Sequence, residues 1–156
     1  MRGRLAAVLT AGAAMAVGGW ALGVATASPG ISTPTVVHVI EHANTDTVID
    51  TGAAGDTSGD LLSFHNPVYN AQNSAKAGND QGMCIREAPK HGTWECMWTT
   101  FVAGGHLTVE GPFYDTRDSV LTVTGGTGIY QNARGFMELK SRAGGTQYDF
   151  IFHLIP

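Results

Sequence analysis

The sequence predicts an all-β protein, a single eight-stranded antiparallel β-barrel behind an N-terminal signal peptide. Three observations carry that reading. Thr, Val, Ile, Phe and Tyr lie in short runs between clusters of Gly, Asp and Asn. No long stretch repeats its apolar residues at the helical period of 3.6. The runs follow one another at short spacing, and closing such strands on themselves removes the exposed edges of an open sheet.

The first segment is the signal. Arg2 and Arg4 precede an apolar stretch from Leu5 to Val24, and Ala25-Thr26-Ala27 gives a small-x-small cleavage pattern. The competing reading is a membrane anchor, since the stretch is about long enough to span a bilayer. Gly12, Gly18, Gly19 and Gly23 make it a weak membrane helix. The expected organisation is therefore a signal peptide over 1–27, a flexible lead-in over 28–34 and a barrel domain over 35–156. The expected location is secreted, with no stable membrane insertion after cleavage. The alternative location is anchored through an uncleaved N-terminal segment.

Cleavage would leave 129 of the 156 residues, enough for one domain with a core and too few for two. Arg2 and Arg4 would leave with the leader, so that seven Lys and Arg face thirteen Asp and Glu. A mildly acidic chain is not built to neutralise phosphates, so no nucleic-acid partner is expected.

The strands are expected as follows. Residues 35–42 form the first. Residues 44–59, rich in Thr, Asp and Gly, form a long loop with some irregular pairing. Residues 60–65 form a short strand, continued beyond a break by Pro67-Val68-Tyr69. Residues 71–79 are polar and loop-like. Residues 80–88 and 93–101 form a hairpin about Pro89-Lys90-His91-Gly92. Ala103-Gly104-Gly105 turns the chain into a strand over 106–114, interrupted by Gly111-Pro112. Residues 119–124 form the next strand, and Gly125-Gly126-Thr127-Gly128 a turn. The last hairpin joins 133–141 to 147–155 about Ala143-Gly144-Gly145.

Centring the cysteine hairpin on Lys90 places Cys84 opposite Cys96, the only two cysteines. Exported chains meet an oxidising environment, and cross-strand neighbours without mutual hydrogen bonds approach disulfide distance. The expectation is a Cys84–Cys96 disulfide. The rival is a free, reactive Cys84 in a pocket. His38 and His42 share a strand face, but no further ligand stands at a recognisable metal spacing, so no metal is expected. Gly125, Gly126 and Gly128 read as turn glycines, because no Gly-Lys-Ser/Thr follows as in a phosphate loop.

Several stretches resemble the plant allene oxide cyclase family. They are Gly59-Asp60-Leu61-Leu62-Ser63-Phe64-His65-Asn66, the step Gly82-Met83-Cys84, and His106-Leu107-Thr108-Val109-Glu110-Gly111-Pro112-Phe113. So is Thr124-Gly125-Gly126-Thr127-Gly128-Ile129-Tyr130, with Ala133 and Gly135 after it, a pattern that dirigent proteins share. The resemblance runs from about Val37 to Leu154. It implies an eight-stranded barrel with an apolar cavity, often trimeric, working without a cofactor. In the cyclases such a cavity steers an unsaturated epoxide fatty acid. In dirigent proteins it steers phenolic coupling, and in similar bacterial barrels cycloadditions. The shared physics is a pocket that restricts a flexible, reactive molecule to one near-attack conformer.

Position by position, the resemblance places Asn66 on an asparagine that helps hold an epoxide-binding water. Leu62 and Phe64 share its strand face. Cys84 falls on a pocket cysteine, and Phe113 on a pocket tyrosine whose hydroxyl is absent here. The catalytic glutamate of the first strand corresponds either to Glu41 or, if lost, to His38; the two positions face opposite ways. The candidate catalytic residues are thus Glu41 and Asn66, and the candidate ligand-binding residues Leu62, Phe64, Asn66 and Phe113. Two functions follow as expectations. One is a secreted, dirigent-like barrel that binds a small apolar molecule and guides its conformation or coupling. The other is a cofactor-free cyclase or isomerase acting on an unsaturated lipid, polyketide or phenolic substrate. A homotrimer is expected by family analogy alone.

Overall fold

The computed structural model describes residues 35–155. The signal segment and lead-in expected over 1–34 lie outside the described residues. Among the described residues nine strands run in the order β1 (Val36–His42), β2 (Thr47–Ile49), β3 (Leu61–Asn70), β4 (Lys76–Ala88), β5 (Thr93–Val102), β6 (Gly105–Tyr114), β7 (Ser119–Gly126), β8 (Gly135–Arg142) and β9 (Gln147–Leu154). Each of β3 to β9 pairs antiparallel with its successor, and β1 pairs with both β9 and β3. That last pairing closes an eight-stranded antiparallel barrel, as the sequence predicts.

The ninth strand is an addition within the expected loop. β2 takes the same edge of β3 as β1 does. Glu41 pairs with Val68, whereas Thr47 pairs with Ser63. The chain over 43–46 leaves the ladder between them, so β1 and β2 together make up one barrel stave.

This gap explains why Pro67 does not break β3, contrary to the expected interruption. The Asn66 N–H points toward β4, where it donates to Asp80 Oδ1 at 3.2 Å. The His65 N–H points the other way, to Thr45 Oγ1 at 2.8 Å. Alternation puts the missing donor of Pro67 on the edge that β1 has just left, where no ladder bond is lost. Two further boundaries move. β4 begins at Lys76, inside the expected loop over 71–79. β6 pairs with β5 straight through Gly111 and Pro112, and the irregularity falls instead between Thr108 and Val109 in the pairing with β7.

The β4–β5 hairpin has the predicted register. Cys84 lies opposite Cys96 and the two form a disulfide, with Cα atoms 4.0 Å apart. Gly92 at φ 60° makes the turn after Pro89–His91. One half of the barrel is filled by Leu107, Val109, Val123, Met137, Phe152 and Leu154, all buried. Tyr130, on the turn Gly128–Tyr130, is buried with them. The other half holds fewer aliphatic side chains and leaves a cavity.

The disulfide spans a sequence separation of 12. Replacing both cysteines with alanine is expected to lower unfolding free energy by about 3 kcal/mol through the larger loop entropy of the unfolded chain. Urea unfolding of the double variant checks this.

Candidate functional site

The cavity is lined by Leu62 and Phe64 of β3, the Cys84–Cys96 disulfide, Trp98 of β5, Phe113 of β6, Leu139 of β8, and Tyr148 and Phe150 of β9. Glu41 and Asp46 are its acidic lining residues. It leaves about 70 Å³ to the centres of water-sized spheres, enough for several waters or one compact ring.

Strand alternation explains the lining. Residues 62, 64 and 66 point inward on β3, and 80, 82 and 84 on β4. Between Phe64 and Trp98 stands Gly82, paired with both. A Cβ at Gly82 would lie 2.3 Å from Trp98 Cβ and 2.5 Å from the Met97 carbonyl oxygen. The glycine therefore lets Trp98 fold across it and pack against Phe150, with ring centroids 5.4 Å apart. Phe64 meets Trp98 edge-on at 6.0 Å. These rings form the aromatic floor.

Above it lies a polar cluster that runs from the exposed segment 44–46 inward to Asn66, which is 0 % exposed. Its Nδ2 donates to Glu41 Oε1 and to Asp46 Oδ1, both at 2.7 Å. Its Oδ1 accepts from the backbone N–H groups of Asn44 and Thr45, both at 2.9 Å, and from Thr45 Oγ1 at 3.1 Å. Asp80, also 0 % exposed, accepts the Asn66 N–H on Oδ1. Its Oδ2 bonds no N–H or O–H donor among the described residues.

Glu41 and Asp80 interact directly. Burial pushes the Glu41 carboxyl well above its ordinary range, and the charges of Asp80 and Asp46 push it further, against the Asn66 hydrogen bond. Burial likewise raises Asp80, to about 7, against the hydrogen bonds from Asn66 and Glu41. Two buried carboxyls in contact cannot both ionise cheaply, so the pair keeps a proton at neutral pH.

Glu41, rather than His38, faces the cavity. His38 lies on the outer face, with Nε2 2.7 Å from Asp149 Oδ1. His42 stacks on Tyr69 at 4.2 Å and bonds Asn73 at 2.8 Å. Among the described residues no group of three or more His, Cys, Asp or Glu has a geometry that holds a metal ion. Leu62, Phe64 and Phe113 line the cavity, while Asn66 stands behind Glu41 with its amide occupied on both ends. Cys84 is half of a disulfide in the wall, and no cysteine of the chain is free.

Sequence reasoning missed four residues. Asp80 precedes Cys84 by four positions on one strand, so alternation alone would have put it on the inner face. Tyr148 shares a face with Phe150 by the same rule. It meets Phe113 edge-on at 5.9 Å and returns a phenol to the cavity from another strand. Asp46 lies in an irregular segment that no periodicity marks. Arg86, buried on β4, binds Asp56 through Nε and Nη2 at 2.7 and 2.6 Å, and Asp115 at 2.7 Å. It thereby ties the loop between β2 and β3 to the barrel.

Comparisons with known proteins agree with this architecture. The family model "Allene oxide cyclase" matches residues 35–154. A solved structure titled "Pyocyanin demethylase" superposes with a TM-score of 0.68 at 20 % identity, covering 77 % of this chain and 99 % of that one. The pterocarpan synthase dirigent protein PsPTS1 gives 0.61 at 17 %, covering 78 % and 96 %. AbnU, an exo-specific intermolecular Diels-Alderase, gives 0.62 at 15 %, covering 76 % and 96 %. At such identities the likeness to these structures is one of fold.

The carboxyl pair sets a pH dependence. Both folded-state pKa values lie above their unfolded values, so the stability that the pair contributes is fully present below about pH 4 and is lost as pH rises through neutrality. Asp80→Asn removes one of the two carboxyls and keeps an acceptor for the Asn66 N–H. Its Tm relative to the parent protein is expected to climb steadily from about pH 4 to about pH 8. Thermal unfolding across that range measures the difference; a difference that stays constant with pH contradicts the shared proton.

Proposed function

Since the chain belongs to the allene oxide cyclase family, we propose that it is an exported, dirigent-like barrel that takes one compact, mostly apolar molecule into its cavity and holds it in a single reactive conformation. The observation that carries this reading is the cavity itself. Aromatic rings and a disulfide wall it, and one end presents a carboxyl fixed by Asn66. A ligand pressed between Trp98, Phe113, Tyr148 and Phe150 loses most of its internal freedom, and that restriction alone biases which atoms meet. Export follows from the leader, and it agrees with a cystine in the wall.

A second reading is favoured by the Glu41–Asp80 pair, namely intramolecular cyclisation or isomerisation. Glu41, kept protonated by burial, would give that proton to a carbonyl or epoxide oxygen of the ligand and become a carboxylate, held by the Asn66 amide until the proton comes back. The proton returns when the new bond forms, so no redox partner is required. Asn66 would act here as a positioning residue, aiming Glu41 without touching the ligand.

Purified protein is to be mixed with conjugated lipids and phenolics, and both retained ligand and converted product measured by mass spectrometry. Retention by the parent protein, lost when Leu62→Trp fills the cavity mouth, is expected. Product that vanishes in Glu41→Gln while retention persists establishes the second reading. Retention without turnover leaves the first. If the panel is not retained, or is retained equally by Leu62→Trp, the cavity is not the ligand site.

A further inference from the structure

The charge pattern around the cavity says more about the ligand. Three carboxylic side chains converge at one end: Glu41 from β1, Asp46 from the segment between β1 and β2, and Asp80 from β4. None of the cavity-lining residues is cationic. The nearest buried cation, Arg86, is already bound to both Asp56 and Asp115. With one proton shared by Glu41 and Asp80, that pair keeps a negative charge, and no cationic side chain is among the residues that line the cavity.

A group outside the cluster registers the same field. Tyr148, the cross-strand neighbour of Glu41 on β9, has its phenol pushed up first by burial and then by the charges of Glu41, Asp46 and Asp115. An acidic cluster alone would not identify a ligand. Here it opens onto a cavity walled by Phe64, Trp98, Phe113, Tyr148 and Phe150. Ring faces and a buried carboxylate are together the environment that holds an organic cation. Behind this lining, Asp80 adds a buried oxygen that bonds no donor among the described residues. The carboxyls do not sit in a metal-binding geometry, so a compact inorganic ion is not the expected occupant.

We propose that the cavity selects a positively charged ligand, an organic ammonium carried on an aromatic or otherwise apolar frame, with its charge at the Glu41–Asp46 end and its apolar body against Trp98 and Phe150. The proposal rests on the cavity being the ligand site and names the class of molecule that the site prefers. On binding, the cation takes over the role of the proton that Glu41 and Asp80 share, and that proton is released to solvent. The titratable groups facing the site are Glu41, Asp46, Asp80 and Tyr148, with Asp115 and its partner Arg86 beyond them. Affinity for a cation that keeps its charge therefore rises with pH as the pair gives up its proton.

The test compares two near-isosteres of one ring each, benzylamine and benzyl alcohol, by calorimetry on the purified protein. At neutral pH the protonated amine is expected to bind at least about 10-fold more tightly than the alcohol. Repeating the titration in buffers of different ionisation heat is expected to show net proton release. In the Glu41→Gln/Asp46→Asn double variant, which removes both lining carboxyls, the preference is expected to shrink to about 2-fold or less, and the proton release to vanish. The comparison on the parent protein does not depend on how well the variant folds. If the alcohol binds as tightly as the amine, the cation inference falls while the cavity reading stands. If the amine preference survives the double substitution unchanged, the charge is recognised elsewhere and the inference also falls. If neither probe binds, both readings fall.

Discussion

The carboxamide of Asn66 is the interaction on which the rest of this barrel depends. It sits where β1 has left β3 and β2 has not yet begun, a gap that would leave backbone N–H groups of residues 44 and 45 without partners. Its oxygen accepts both of them. Its nitrogen simultaneously holds Glu41 and Asp46. The orientation of the amide follows from these neighbours, since two N–H groups need the oxygen and two carboxyls need the nitrogen. No other side chain of that size offers two acceptor sites on one end and two donors on the other. Aspartate would add a fourth acid to the cluster. Leucine would strand two backbone donors and release both carboxyls. Closure of the barrel and placement of the acid are thus one interaction.

From that centre the chemistry follows by burial. Asp80 lies beneath Asn66 and accepts its backbone N–H, so the same residue fixes acids on three separate segments. Enclosure by strands makes ionising both Glu41 and Asp80 costly, and a proton stays on that pair. The aromatic floor is set by a different constraint, the absence of a side chain at Gly82, which allows Trp98 to cross the sheet face. The Cys84–Cys96 bridge stands one inward-facing position from Gly82 and Trp98 and makes cystine part of the cavity wall.

Much of this was legible in the sequence because β structure is read from alternation. The barrel, the antiparallel order and the register that pairs Cys84 with Cys96 all follow from the position of turns and inward residues. The placement of Leu62, Phe64 and Asn66 on one face has the same origin. Two features were hidden. Pro67 reads as a break, and only the geometry of the departing β1 shows that its missing donor is not needed. Asp46 belongs to an irregular segment, where no period indicates direction, so its approach to Asn66 depends on tertiary structure alone. Asp80 was within reach of the alternation rule, since it opens the expected strand over 80–88, four positions before Cys84. Whether Glu41 or His38 points inward turned on the register of β1, which sequence spacing left open and the pairing of Glu41 with Val68 decides.

The central claim is that two buried carboxyls, Glu41 and Asp80, hold one proton between them beside the cavity at neutral pH. The most direct measurement is a carbon-13 NMR titration of the side-chain carboxyls in protein labelled at Asp and Glu, with Glu41→Gln and Asp80→Asn used for assignment. The account predicts that the Glu41 and Asp80 signals move together and complete their titration only around or above about pH 7. Two independent transitions near the ordinary carboxylate range, about pH 4, would contradict it.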